Sequence, residues 1–221
     1  QRKGYGRKLV AALKLSLGPN SKFDWQCQNP FWGNSVNIRS VPFGMVEGIG
    51  IESSAPEAPF FKALGAKQIG TAVNFSVTAE NFNADKAREK RQQAEAQGFE
   101  FGMMQNRAPQ IGSLLTDKTE NPSGRYFTAT ALHGQVVAGR CIAFAQPELG
   151  AGRFGIWELE VLSEHHRRGV AAALIWNVYL DMQSGEFSRC EVTTVPHLSP
   201  NAEVFYKSLG FERTSEFALF E

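Results

Sequence analysis

No run of about 18 apolar residues occurs in the sequence, so no segment reads as a membrane-spanning helix. Cysteine is scarce. Cys27, Cys141 and Cys190 are the whole supply, odd in number and without CxxC or CxxH spacing, which argues against a disulfide framework and against a zinc site. A reducing, cytoplasmic compartment is the expectation that follows. His165 and His197 likewise lack any partner at metal-ligating spacing, so no metal is expected. An excess of one charge is missing too: 23 Lys and Arg stand against 22 Asp and Glu, for a net charge of +1. Nucleic-acid and membrane-surface binding both need a persistent basic excess to neutralise phosphates, and neither is expected. The first apolar stretch is broken by Lys14 and has no small-residue cleavage site, so it is not a signal peptide. What remains is 221 residues with 43% apolar side chains, an ordinary globular composition with chain enough for one large domain or two small ones.

Leu9, Val10, Leu13 and Leu17 recur at helical spacing and Gly18-Pro19 ends the run, so the first element is a helix entered through the turn Gln1-x-x-Gly4-x-Gly6. The arrangement recurs. An alternating run from Phe154 to Val161 reads as a strand, Ser163 to Gly169 as a turn, and a second helix follows with Val170, Leu174, Val178 and Met182 on one face. A turn of this kind leaves backbone N–H groups unpaired at a helix N-terminus, where the positive end of the macrodipole suits an anion. Each helix is followed by matching punctuation, Phe60-Phe-Lys-Ala-Leu-Gly-Ala66 after the first and Phe205-Tyr-Lys-Ser-Leu-Gly-Phe211 after the second. Matching pairs of features in the same order read as an internal duplication.

These motifs resemble the GNAT acyltransferase superfamily, whose loop reads Q/R-x-x-G-x-G/A ahead of a helix and whose later segment reads roughly N-x-x-x-x-F/Y-x-x-x-G-F. The resemblance covers nearly all of residues 98 to 221 and part of the same fold in residues 1 to 80. It implies an α/β fold, a mixed, mostly antiparallel sheet flanked by helices, as one complete domain plus the C-terminal half of another. It also implies acetyl-CoA as cosubstrate, its pyrophosphate gripped by the loop backbone. The second copy of the loop reads His166-Arg167-Arg168-Gly169-Val170-Ala171. His166 departs from the usual Gln or Arg, which changes one side chain and leaves the backbone donors. Gly169 and Ala171 are small enough for a phosphate to approach, and Arg167 and Arg168 add charge. The CoA contacts implied are therefore Val161, His166, Arg167, Arg168, Gly169, Val170, Ala171 and Asn201, the last of which has helix capping as its plainer role.

Acyl transfer to an amine requires the attacking nitrogen to lose a proton. Glu158 and Glu160, on the strand face opposite Trp157, Leu159 and Val161, are the candidate bases. Tyr206 matches the family position implied to protonate the departing thiolate. Aligned on Leu64-Gly65 and Leu209-Gly210, the first copy has Phe61 opposite Tyr206 and Pro56 opposite Asn201, so only the second module reads as a catalyst.

The chain thus divides into residues 1 to 83, the C-terminal half of a GNAT-like domain; residues 84 to 97, a helix of mixed charge read as a solvated connector; and residues 98 to 221, the complete module. The half domain has a sheet edge to cover, so it must pair with the second module, with another chain as in a homodimer, or with further residues. The aromatic-rich loop over 22 to 42 reads as a lid, and 105 to 124 leaves room for little more than a short helix near 111 to 115, hence an open acceptor side. The function implied is an acyl-CoA-dependent N-acyltransferase acting on a small-molecule or peptide amine. The alternatives are a non-catalytic acyl-CoA sensor or scaffold, and a small-molecule binder of the same fold that never uses CoA.

Overall fold

The computed structural model describes residues 4–17, 51–54, 57–105, 125–145, 152–186, 188–197 and 199–220. The loop over 22 to 42, the helix expected near 111 to 115, Gln1 and Cys27 lie outside the described residues. In chain order the elements are α1 (Tyr5–Leu17), β1 (Ile51–Glu52), α2 (Glu57–Ala63), β2 (Gln68–Thr78), α3 (Ala84–Glu95), β3 (Phe99–Gln105), β4 (Arg125–His133), β5 (Val136–Ala145), β6 (Arg153–Val161), α4 (Val170–Asp181), β7 (Arg189–Thr194), α5 (Ala202–Ser208) and β8 (Glu212–Phe220). The mixed, mostly antiparallel sheet flanked by helices is the fold the sequence implied.

The strands form one sheet in the order β1-β8-β2-β7-β6-β5-β4-β3. Strands β3 to β6 form a meander, with Gly134 at φ +64° in the tight β4–β5 turn. The parallel pair is β6 with β7. Between β7 and β8 lies β2, antiparallel to both, with Ala72, Val73, Asn74, Phe75 and Val77 all buried. A strand from the first 83 residues is therefore an interior strand of a sheet built otherwise mostly from residues 98 to 220. Its edges are paired within the chain, and the sequence boundary at 83 and 98 does not coincide with a break in the hydrogen bonding.

The core lies between the sheet and α4, whose Val170, Leu174, Ile175 and Val178 are each at most 2% exposed. Burying side chains of this size stabilises the fold by about 1.5–3 kcal/mol each. The helix expected over 84 to 97 is present as α3, but it is not a solvated connector. Ala87 and Ala94 are fully buried in the core cluster, and the Arg91 guanidinium bonds the side chain of Asn177 on α4. Its start is fixed by Asn83, whose side chain accepts the Lys86 N–H at 3.2 Å. The sequence shows charges of both signs along α3; Asp85, Arg88, Glu89 and Glu95 are exposed, while Lys86, Lys90 and Arg91 are partly buried.

Candidate functional site

Strands β6 and β7 pair from Arg153 with Arg189 to Ile156 with Val192, and beyond that register they separate. Trp157 is an extra residue in β6, since Ile156 and Glu158 face consecutive residues of β5. A cavity of about 740 Å³ opens where the strands part, lined by Leu159 and Val161 of β6, Thr193 and Thr194 of β7, Val170 to Ala172 of α4, and Asn201, Phe205 and Tyr206 around α5. Among its described lining residues stand Lys86, Lys90, Arg167, His165 and His166, and no carboxylate.

The α4 N-terminus closes the mouth. A 3₁₀ turn (Ser163–His165) leads into an extended His166, then Arg167 at φ +61° and Gly169 at φ +88°. A non-glycine residue in the left-handed region costs about 1–2 kcal/mol, and such strain persists where the surroundings hold it. The Ala173 N–H bonds Gly169 O at 3.0 Å, as the fourth residue of the first turn. The N–H groups of Val170, Ala171 and Ala172 thus have no partner one turn back in the helix. That set of donors, in a wall free of carboxylates, suits a diphosphate.

The loop side chains do not all serve the cavity. The His166 ring nitrogen Nε2 lies 2.8 Å from the Val161 carbonyl, so it carries the proton that this acceptor takes. Arg168 turns away. Its Nε donates to Gln97 Oε1 at 2.8 Å and its guanidinium stacks 4.7 Å over the Phe99 ring, so it pins the loop to the end of α3. Gly169 has a structural reason of its own: a Cβ there would stand 2.6 Å from the Lys90 carbonyl oxygen. The missing side chain admits α3, where the sequence suggested room for phosphate.

Tyr206 lies in an aromatic stack, 6.0 Å from Phe75 of β2 and 5.3 Å from Phe211 between ring centres. Burial raises its hydroxyl pKa well above the ordinary value near 10, with the Cys141 and Cys190 thiols adding to the shift. Both thiols are themselves raised by burial. Tyr206 lines the cavity, and among the described residues none hydrogen-bonds its hydroxyl. Asn201 also lines it, preceding α5 with no capping bond from its side chain. Glu203, in the first turn of α5, is held below the usual carboxylate range by the hydrogen bond and charge of Lys207.

Glu158 and Glu160 do not line the cavity. They share the strand face opposite Leu159 and Val161, and Arg140 of β5, directly across from Glu160, binds both: its Nε bonds Glu158 and its second amino group lies 3.5 Å from Glu160. The site therefore brings together the loop, Val161, Asn201 and Tyr206, while the two carboxylates stand behind the sheet on a shared guanidinium. Sequence reasoning missed Lys86 and Lys90. The signal was two lysines one helical turn apart, hidden among charges of both signs.

Among the described residues no helix is long and apolar enough to cross a membrane, and no cluster of His, Cys, Asp or Glu is placed to hold a metal ion. A search of curated protein sequences finds no match. Among solved structures, a tandem GNAT protein from the clavulanic acid biosynthesis pathway, determined without AcCoA, is similar over 100% of this chain and 70% of its own, with a TM-score of 0.62 at 14% identity. A GCN5-related glucosamine N-acetyltransferase region of a fungal multi-domain GH3 β-N-acetylglucosaminidase matches 79% of this chain and 24% of its own, with a TM-score of 0.55 at 12% identity. A GCN5-related N-acetyltransferase-like protein from Streptococcus suis matches 76% of this chain and 68% of its own, with a TM-score of 0.54 at 11% identity. These likenesses show the fold. The sequence profile of the acetyltransferase (GNAT) family matches residues 89–211, more than half of the sequence, and the chain, with its splayed strands and helix-capped cleft, belongs to that family.

Proposed function

We propose that the chain is an acyl-CoA-dependent N-acyltransferase, with acetyl-CoA as cosubstrate, that transfers the acyl group directly to a small-molecule or peptide amine. The observation that carries this reading is the cleft itself: a slot between diverging strands, ended by free helix N–H donors and walled without a carboxylate. A diphosphate at Val170 to Ala172 lets the rest of the thioester run along β6 toward Tyr206. In the transfer an N–C bond forms and the C–S bond breaks, while the amine gives up a proton and the sulfur gains one. Tyr206, kept protonated by burial, donates a hydrogen bond to the departing sulfur. Glu158 and the more exposed Glu160 stand behind the sheet on Arg140, so the amine proton passes to water in the cleft, from which the departing sulfur is protonated. Holding the reactants together contributes most of the acceleration.

The chain is further read as a tandem duplication with a partial first copy. The shift in numbering that carries Leu64 onto Leu209 also carries Glu57–Ala63 (α2) onto Ala202–Ser208 (α5) and Ala72 onto Phe217. Ala72 and Phe217 are paired across β2 and β8, and exchanging the copies turns the pair Thr71–Ala218 into Val73–Glu216, which is also present. On the shift set by the Leu-Gly motifs, the β2–β8 register is therefore consistent with the duplication.

A sensor that binds acyl-CoA without turnover is the second reading, favoured by one observation: Arg140 engages both candidate bases. Incubation with acetyl-CoA and a panel of amines, following free thiol, separates them. The transferase reading expects amine-dependent thiol release that falls in Tyr206→Phe. Binding of acetyl-CoA without thiol release for any amine favours the sensor.

A further inference from the structure

The helix that precedes the second module reaches the cleft. The close approach of Gly169 to the Lys90 carbonyl seats α3 beside the α4 N-terminus. At its other end, the Asn83 N–H bonds Leu209 O at 3.0 Å and its side chain reaches Ser208 O at 3.4 Å, so the start of α3 is tied to the end of α5. Between these anchors Lys86 and Lys90, one turn apart, face the cavity.

Lys86 is singular on its helix. Arg88 lies 3.4 Å from Asp85, Arg91 2.8 Å from Glu95 and Lys90 3.9 Å from Glu89, with the Lys90 ammonium also donating to Gln93 Oε1 at 3.0 Å. Lys86 has no carboxylate partner among the described residues, and the residue is partly buried where it lines the cleft. A cation without a counter-charge, beside described lining residues that include no carboxylate, is complementary to an anion supplied from outside. CoA carries three phosphates. The helix N–H groups of Val170 to Ala172 and the Arg167 guanidinium suit the diphosphate, and α3 is a separate element with its own cations.

On the basis of the acyl-CoA reading, we propose that Lys86, supported by Lys90, binds the ribose 3′-phosphate of CoA, making α3 a specificity element for the phosphorylated nucleotide. The test is calorimetric titration of the full chain with CoA and with 3′-dephospho-CoA. The wild type binds CoA the tighter. Lys86→Gln loses about ten- to a hundredfold in CoA affinity and leaves 3′-dephospho-CoA binding unchanged, while Lys86→Arg retains the preference. An equal loss for both ligands, or a wild type with no preference between them, overturns the proposal and leaves the acyl-CoA reading standing. A wild type that binds neither overturns both.

Discussion

Gly169→Ala tests whether the loop glycine serves helix packing or ligand approach. Gly169 has φ +88°, where a Cβ costs about 1–2 kcal/mol. The new Cβ would also stand 2.6 Å from the Lys90 carbonyl oxygen, a backbone atom that cannot swing aside as a side chain can. Relieving the contact moves α3 and loosens the buried Ala87 and Ala94, adding about 1–2 kcal/mol. The smaller conformational freedom of alanine in the unfolded chain offsets about 0.4–1 kcal/mol. The net loss is about 1–3.5 kcal/mol, a fall in Tm of roughly 2–14 °C for a chain of this size. Gly134→Ala is the control. Gly134 has φ +64° with nothing within 4 Å of the added Cβ, so it carries the backbone cost alone, about 1–2 kcal/mol before the same offset. Thermal melts followed by circular dichroism measure both. A Gly169→Ala melt within about 2 °C of wild type, or no larger a shift than in Gly134→Ala, would refute the packing argument.

Tyr206→Phe should leave stability within about 0.5 kcal/mol, because among the described residues the hydroxyl has no hydrogen-bond partner to lose, while kcat falls about a hundredfold with KM for acetyl-CoA little changed. A collapse in stability would show that the hydroxyl has a structural role. Arg167→Gly relieves the left-handed strain at φ +61° and removes a cation beside the cleft, so the melt should hold or rise while CoA affinity drops several-fold. A lower Tm with unchanged affinity would reverse both assignments. Burial raises the Tyr206, Cys141 and Cys190 pKa values above their ordinary values of 10.0, 9.0 and 9.0, so the native state holds protons that the unfolded chain releases. That stabilisation is fully present below about pH 9 and is lost as pH rises, at about 1.4 kcal/mol per pH unit for each group past its unfolded pKa. Urea midpoints should fall steadily from pH 9 to 10.5, and less steeply in a Cys141→Ala, Cys190→Ala double variant; a flat profile contradicts it.

Much of the site is legible in the sequence because it depends on local order. The Ser163-to-Ala172 turn, the apolar face of α4 and the Leu-Gly punctuation after α5 are short-range patterns, and each stands where the pattern implied. What the sequence hides depends on pairing between distant segments. Nothing in the residues of β2 records that its neighbours are β7 and β8. Arg140 meets Glu158 and Glu160 through the β5–β6 register, which an extra residue at Trp157 shifts. Gly169 could not be read as a packing residue because its neighbour, Lys90, lies on a helix whose mixed charges suggested a free connector. Arg168 is the same case: its guanidinium completes a contact with Phe99 and Gln97 that no motif spacing encodes.

A crystal structure of the chain soaked with acetyl-CoA tests whether the backbone at the start of α4 receives a diphosphate. The expected result is diphosphate oxygens within about 3 Å of the N–H groups of Val170, Ala171 and Ala172, with the thioester running between β6 and β7 toward Tyr206. A diphosphate bound elsewhere on the surface, with that helix end still facing solvent, would contradict it.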